Sequence, residues 1–355
     1  MRCPKALRGL PLAAASAMQT ACRRKSYVLK YLRGRLPEDL KDVSGALGCL
    51  YGALPDVDEY SAFVLPLHVI EEYHQMGFVK LPRPVLDARQ VDVLTDEAEQ
   101  LANNVEHHPK LEYLYATTLA NFTDGPLFNC QGQWRASWGM HDLVYLPYLT
   151  VAASQALGNA AVHLWYDEVL IKAARVGPCI PWRQNYALWS NSTTPSDKHV
   201  SLFVALDHLN KDRGAPCLVP GSHRWRTDAE TLLHINNAEG DTDEARQLNT
   251  IWSILREEET EVLMDSPPMT LDLQRGEAVL IHPLTLYATH GNRSLGPARS
   301  CAIHFVGDGA QCVRNGPLLP NTTQLFQAGQ AVGGPFFPTV FDPAVVEGLP
   351  LLNQN

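Results

Sequence analysis

The apolar run that decides the fold is HVSLFVAL, residues 199–206. Turn-forming residues bound it on both sides, which is typical of a short buried strand. Further apolar runs of this kind follow at residues 162–173, 217–220, 261–264, 277–282 and 300–306. Short strands separated in this way predict a β-sandwich or a β-barrel.

The residues before this β-rich part have a different pattern. Apolar residues recur at helical spacing over residues 67–76 and 87–102, and residues 147–157 predict a further helix. Residues 77–82 read as a short strand between the first two helices. An acidic segment at residues 241–259 predicts a solvated helix within the β-rich part.

These patterns indicate one domain, residues 61–345, that is mainly β with flanking helices (α+β). We expect a basic extension and linker before it, residues 1–60, and a tail after it, residues 346–355. The eight cysteines are scattered and lack zinc-like spacing. They are therefore expected to be buried free thiols.

Composition and charge exclude several classes of protein. The chain of 355 residues is 45% hydrophobic and has no apolar run long enough to span a membrane. Residues 1–35 contain nine Lys or Arg and no acidic residue, and the remaining 20 basic residues face 38 acidic ones. An acidic body is a poor partner for nucleic acid. We expect a cytoplasmic protein, or a mitochondrial one if residues 1–35 act as a transit peptide.

A set of motifs in a fixed order gives the chain a family resemblance. They are YHQMGFV at residues 73–79, a strand ending in Lys172, PWRQNYALW at 181–189, FVALD at 203–207, VPGSHRW at 219–225, HPL at 282–284 and NRS at 292–294. From about Tyr73 to Pro343 the chain resembles the phytanoyl-CoA dioxygenase family of iron- and 2-oxoglutarate-dependent oxygenases. Its ending, FFP at 336–338, resembles a fungal branch of natural-product pathways. The fold implied by the resemblance is a double-stranded β-helix with a jelly-roll or cupin-like core.

The resemblance also implies an iron site, and its ligands are replaced in this chain. Such an oxygenase holds Fe(II) with a His-x-Asp pair and a distal His. These positions fall on Arg183, Asn185 and Tyr287. Arginine has no lone pair to donate, and asparagine offers only a neutral carbonyl oxygen. We therefore predict no metal site and no cofactor, although Fe(II) and 2-oxoglutarate are the cofactors of the family.

The co-substrate site implied by the resemblance is altered as well. The family's arginine for 2-oxoglutarate falls on Ala298, and the neighbouring Arg299 should point to the opposite face of its strand. Lys172 remains at the position of the family's co-substrate lysine. If Lys172 points inward, it would form a cationic pocket with Arg183 that favours a carboxylate. The other candidate lining residues are Trp182, Tyr186, Trp189 and Thr289.

No other side chains are expected to rebuild the metal site. The histidines of the β-rich part are interpreted as structural, and Asp167 and Asp207 as turn or surface groups. These histidines are His199, His208, His223, His282, His290 and His304.

Three functions remain open from the sequence. The one we favour is a non-catalytic partner or scaffold subunit, in a heterodimer with an iron-binding relative in a secondary-metabolite pathway. There Arg183 would fill the former metal cavity and pair with a nearby acid. The second is a metal-independent isomerase or cyclase that uses Tyr287, Arg183 and Asn185 on a hydrophobic, carboxylate-bearing small molecule. The third is an Fe(II)/2-oxoglutarate dioxygenase that acts through atypical ligands.

Overall fold

A computed structural model of the chain describes residues 45–48, 50–52, 54–104, 114–116, 127–225, 264 and 266–344. One compact unit comprises Gly45–Asn355. The basic arm, the C-terminal tail, the acidic segment at 241–259 and nearly all of the predicted strand at 261–264 lie outside the described residues. Within the ranges given above, no helix combines the length and apolarity needed to cross a membrane.

The α-helices lie mainly before the central strands. They are α1 (Leu67–Met76), α2 (Ala88–Asn104), α3 (Trp138–Leu143), α4 (Pro147–Ala156) and α5 (Asn185–Trp189). Short 3-10 helices cover Val57–Phe63, Gln133–Arg135, Ser196–Lys198 and Ser222–Arg224. The helices predicted at 67–76, 87–102 and 147–157 are confirmed as α1, α2 and α4.

Most of the strands are short, and β4 and β12 are the long ones. They are β1 (Phe78–Lys80), β2 (Tyr115–Ala116), β3 (Leu127–Gln131), β4 (Val162–Lys172), β5 (Ile180–Arg183), β6 (Thr193–Thr194), β7 (His199–Ala205), β8 (Pro216–Leu218), β9 (Met269–Thr270), β10 (Ala278–Ile281), β11 (Tyr287–Thr289), β12 (Ala298–Gly307), β13 (Gln311–Cys312) and β14 (Thr339–Phe341). The run at 199–206 is thus the central strand β7, flanked by β10 and β12.

Antiparallel pairing organises these strands into two principal sheets. The larger follows the order β1-β10-β7-β12-β4-β3-β2, with β14 also paired to β4. The smaller follows the order β5-β11-β8-β9, and β13 pairs with β6 in a separate two-stranded sheet. Side chains from both principal sheets line one cavity, so the two sheets face each other across it. The prediction of a mainly β domain with flanking helices is confirmed.

The apolar runs are nearly continuous because the larger sheet is buried on both faces. In β4, Val169 and Ile171 point outward and belong to a hydrophobic core shared with the helices. Glu168 and Leu170 point inward and line the cavity between the sheets. One face of β4 therefore packs against the helices, and the opposite face lines the cavity.

Gly77 joins α1 to the sheet at a position that only glycine fits. Its φ of 82° is left-handed, and its N–H bonds to Tyr73 at 2.8 Å to end the helix. A Cβ there would clash with the side chains of His223 and Thr285. The Gly77 carbonyl also accepts from the Thr285 hydroxyl at 2.6 Å. The glycine thereby fixes α1 against the segment that leads into β11.

Residues 45–60, which the sequence analysis assigns to an N-terminal extension, pack against the domain. Leu50 is 1% exposed and belongs to the main hydrophobic core. The buried Asp142 carboxylate of α3 accepts the backbone N–H groups of Leu47 at 2.5 Å and Leu50 at 2.8 Å. Tyr60 stacks on Phe341 with ring centroids 5.7 Å apart. The packed body therefore begins well before residue 61.

Candidate functional site

The three positions that replace the predicted metal ligands meet between the two sheets. Arg183 ends β5, and its cross-strand partner in the antiparallel register is Tyr287 of β11. Asn185 is the first residue of α5. The Tyr287 hydroxyl lies 2.8 Å from Arg183 Nε and 2.6 Å from Asn185 Oδ1. The sequence prediction that these three side chains converge is therefore matched by the structure.

Hydrogen bonds extend from this meeting point into a chain that runs in one direction. Arg183 Nε donates to Tyr287 Oη, and Tyr287 donates to Asn185 Oδ1. Asn185 Nδ2 donates to Ser201 Oγ at 3.0 Å, and Ser201 Oγ lies 2.7 Å from His304 Nδ1. We call these five residues the polar chain.

The polar chain ends at His304. Because Ser201 Oγ accepts from Asn185, its own proton is available for His304 Nδ1. The other ring nitrogen, His304 Nε2, is 3.6 Å from Glu168 Oε1. Glu168 Oε1 is in turn 3.9 Å from Arg183 Nη2. The chain thus begins on a guanidinium and ends beside a carboxylate that faces the same guanidinium.

The electrostatics of the site favour an ionised Glu168 and a neutral Tyr287. Burial alone would raise the pKa of Glu168, but its interactions with His304, Arg183 and the Asn129 amide lower it to about 2. Burial raises the pKa of Tyr287, against the opposing effect of the Arg183 charge. Glu168 is therefore ionised and Tyr287 keeps its proton at neutral pH.

The cavity that remains between the sheets is small. Its volume is about 20 Å³, which leaves room for one or two water molecules. Pockets for drug-sized ligands usually measure about 300–1,000 Å³. The lining residues are Glu168, Leu170, Ile180, Arg183, Asn185, Ser201, Phe203, Ile281, Tyr287, Thr289, Ser300, Ala302 and His304. Arg183, Asn185 and Tyr287 are among these lining residues, and little space remains beside them.

The predicted aromatic walls lie outside this cavity. Trp182 points to the opposite face of β5, into a separate hydrophobic cluster with Cys217 and Leu286. Tyr186 donates its hydroxyl proton to the Thr193 carbonyl at 3.0 Å. Trp189 is buried behind His304, with ring centroids 5.2 Å apart. In this structure none of the three tryptophan and tyrosine side chains contributes to the cavity surface.

Lys172 is buried but does not line the cavity. Its ammonium donates to Thr289 Oγ1 at 2.7 Å and to the His290 carbonyl, and the side chain is 1% exposed. Thr289 lines the cavity and lies between it and the ammonium. The expected cationic pocket is thus corrected on two counts: Lys172 does not line it, and Glu168 offsets the charge of Arg183.

Arg299 points away from the cavity, as strand alternation predicts. Its guanidinium pairs with Asp207, Nε to Oδ2 at 2.7 Å, and with Glu99. Asp207 and Asp167 are both buried, so neither is a surface group. Asp207 lies in a bend after β7, as expected for a turn group, whereas Asp167 lies within β4. Asp207 is held by Arg299 and Arg213, and Asp167 accepts the backbone N–H of Trp134 at 2.9 Å. Asp167 lies on the helical side of β4, opposite to Glu168.

Sequence reasoning missed Glu168, although strand alternation carried a signal for it. Lys172 was expected to point inward, and residues 170 and 168 share its parity on β4. In β12, His304 shares the parity of Ala298, which lies opposite Lys172. The sequence analysis expected Arg183 to pair with a nearby acid but named none. In the structure that acid is Glu168.

The fold and the order of these motifs match one protein family. The family model for phytanoyl-CoA dioxygenase (PhyH) matches residues 73–301. This chain belongs to the phytanoyl-CoA dioxygenase family. The match extends from the end of α1 into β12 and so includes every residue of the polar chain except His304.

Curated relatives share parts of this family domain. The chain is 33% identical over 98 residues to L-proline trans-4-hydroxylase of Streptomyces griseoviridis, covering 25% of this chain and 35% of that protein. It is 22% identical over 119 residues to the peroxisomal phytanoyl-CoA dioxygenase of Mus musculus, covering 34% of this chain and 31% of that protein. These matches span about a third of the length of each relative.

Solved structures of non-heme oxygenases share the fold. The α-ketoglutarate-dependent epimerase SnoN from nogalamycin biosynthesis has a TM-score of 0.57 and 20% identity, over 77% of this chain and 97% of its own. The carbocyclase SnoK from the same biosynthesis has a TM-score of 0.56 and 17% identity, over 81% and 99%. The core of this family member is therefore the double-stranded β-helix of iron- and 2-oxoglutarate-dependent oxygenases.

The residues at the centre of this family fold do not fit Fe(II). A facial iron site needs imidazole and carboxylate ligands on one side of the metal. Here Arg183 supplies a guanidinium and Asn185 a neutral amide, and Arg183 already donates a hydrogen bond to Tyr287. Across the part of the chain that the structure describes, no group of three His, Cys, Asp or Glu side chains is arranged to hold a metal ion. We therefore derive no reaction step through iron or 2-oxoglutarate.

Proposed function

We propose that this protein works without an iron centre, as a non-catalytic partner or scaffold subunit of an iron-binding member of the same family. The observation that supports the proposal is that Arg183 donates to the Tyr287 hydroxyl and that this hydroxyl donates to Asn185. These side chains satisfy one another and leave a cavity of about 20 Å³. A domain whose centre is filled in this way acts through its surface rather than through its pocket.

The setting we propose is a secondary-metabolite pathway. SnoN and SnoK, which share the fold, are an epimerase and a carbocyclase of nogalamycin biosynthesis. Because their identity to this chain is low, the structural similarity supports the fold alone. The pathway therefore rests on the resemblance of the C-terminal motif at 336–338 to natural-product enzymes.

Co-expression with a relative from the same organism that keeps the His-x-Asp pair tests the partner role. We expect a heterodimer by size-exclusion chromatography with light scattering, and a higher soluble yield or activity of the relative. The relative expressed alone is the control. If both proteins stay monomeric when mixed and the relative is unaffected, the partner role is wrong.

A direct assay separates this role from a residual oxygenase. The purified protein, supplied with Fe(II) and 2-oxoglutarate under air, is expected to release no succinate above background. The intact relative, assayed in parallel, shows that the assay works. Iron-dependent succinate release by this protein would instead establish oxygenase activity through atypical ligands.

A second candidate, a metal-independent isomerase or cyclase, is favoured by one observation. His304 Nε2 faces the cavity and has no hydrogen-bond partner among the described residues, and Glu168 lies 3.6 Å away. An imidazole beside a carboxylate is suited to proton transfer. Such an enzyme would need Arg183 to leave the space that a substrate must enter. Turnover that persists with a chelator and is lost in Tyr287→Phe would support this candidate, and turnover stopped by the chelator would exclude it.

A further inference from the structure

Glu168 is a carboxylate that needs a cation beside it. Its side chain is 12% exposed, so it lies largely out of water. It accepts a hydrogen bond from Asn129 Nδ2 at 3.2 Å and faces His304 and Arg183. An ionised carboxylate in such surroundings is strongly destabilising when its counter-charge is removed. Of its neighbours, Arg183 is the one with a permanent positive charge.

The guanidinium of Arg183 is recognised on several sides. Tyr287 Oη accepts from Nε at 2.8 Å, and the Tyr287 ring lies 5.2 Å from the guanidinium carbon. Asn185 Oδ1 orients the tyrosine hydroxyl at 2.6 Å, which directs its lone pairs to Arg183. Glu168 faces Nη2 on the other side. An acceptor, an aromatic ring and a carboxylate are the groups that bind planar guanidinium ions.

We infer that Glu168, Tyr287 and Asn185 form a guanidinium-binding site, which the chain fills with its own Arg183. This internal cation occupies the position where metal-bearing members of the family place their iron ligands, and it balances Glu168 in the folded protein. The inference concerns the folded domain itself and holds whether or not the protein has a partner.

Removal of the internal guanidinium from the full-length protein tests this site. The variant Arg183→Ala should melt at a lower temperature than the wild type and should leave a space shaped for N-ethylguanidinium. That compound at about 10 mM should raise the melting temperature of the variant by about 2 °C or more, as a ligand above its dissociation constant would. It should leave the wild type unchanged, since denaturation by guanidinium takes molar concentrations.

Matched probes and variants define the specificity of the rescue. Urea has the planar shape without the charge, and ethylammonium has the charge without the plane, so neither should raise the melting temperature of Arg183→Ala. The double variant Arg183→Ala/Glu168→Gln should be more stable than Arg183→Ala and should not respond to N-ethylguanidinium. Arg89→Ala, at an exposed position of α2, should melt like the wild type.

Two results would overturn the inference. One is an Arg183→Ala variant that melts with the wild type. The other is a variant that N-ethylguanidinium stabilises no more than urea, or no more than it stabilises the double variant. If Arg183→Ala does not fold alone, soluble protein should be recovered by refolding with N-ethylguanidinium and not with ethylammonium, and equal recovery in both would count against the site.

Discussion

At the residue scale, Tyr287 has two partners that depend on its hydroxyl group. The oxygen accepts from Arg183 Nε and the proton goes to Asn185 Oδ1. The side chain is 5% exposed, so water does not readily replace either bond. Its loss would leave a buried donor and a buried acceptor unsatisfied, and such groups are costly.

Tyr287→Phe is therefore expected to lower the free energy of unfolding by about 2–3 kcal/mol, since each unsatisfied buried group costs about 1–3 kcal/mol. Urea denaturation followed by circular dichroism measures the change. Tyr186→Phe removes a hydroxyl with a single bond, to the Thr193 carbonyl, and serves as the matched control. Its cost should be about 1 kcal/mol or less. Equal effects of the two substitutions would show that the polar chain does not stabilise the fold.

Asp167 makes a prediction about pH. Burial raises its pKa from 3.8 to about 7, against the bond from the Trp134 N–H and the charge of Arg135. Because the pKa of Asp167 is higher in the folded protein, the protonated side chain stabilises the fold fully below pH 3.8. This contribution is lost as the pH rises through about 7. The free energy of unfolding attributable to Asp167 should therefore fall between these pH values, by an amount on the order of a few kcal/mol.

Asp167→Asn is the variant that isolates this effect, because its Oδ1 can still accept from Trp134. His199 and His282 have lowered pKa values from burial and change stability in the opposite sense over part of the same range. Their contributions cancel in the difference between wild type and Asp167→Asn. That difference, measured by urea denaturation from pH 4 to 8, should shift steadily in favour of the variant as the pH rises. A difference that is flat with pH would contradict a perturbed Asp167.

At the scale of elements, the alternation of side chains along a strand held more information about the site than the sequence prediction used. It turned Arg299 outward, which agrees with the structure. Arg183 and Asn185 do meet at Tyr287, but Asn185 begins a helix and does not lie on the strand with Arg183. The same alternation on β4 would have placed Glu168 in the cavity, where its negative charge offsets the positive charge of Arg183. The size of the cavity could not be predicted, because it depends on how the Arg183 side chain packs. The boundary at residue 60 was missed, since residues 45–60 lack a periodic pattern.

The N-terminal segment gives a prediction at this scale. A protein comprising residues 45–355 keeps Leu50 in the core and keeps the N–H groups that the Asp142 carboxylate accepts. A protein comprising residues 61–355 loses both. Losing a buried leucine costs about 2–5 kcal/mol, so the shorter protein should unfold at clearly lower urea concentration or aggregate. Equal stability of the two truncated proteins would show that residues 45–60 do not support the domain.

At the scale of the whole molecule, the fold is that of the family. Two principal antiparallel sheets enclose the cavity, and the left-handed Gly77 joins α1 to the larger one. At the centre, Arg183, Asn185 and Tyr287 converge on one point at hydrogen-bonding distances. The backbone therefore still presents three side chains to a common centre.

Because that geometry is retained, Arg183→His/Asn185→Asp/Tyr287→His should bind Fe(II) stoichiometrically, as imidazole and carboxylate ligands on one face suit this ion. Iron content after anaerobic loading and desalting, together with the spectrum of the nitric oxide adduct, measures the binding. The double variant Arg183→His/Asn185→Asp, which keeps Tyr287, is the matched control and should bind at least about tenfold more weakly, because it lacks the third ligand. The wild type should retain no iron. A folded triple variant that also retains none would show that the scaffold itself, and not only these three side chains, has moved away from metal binding.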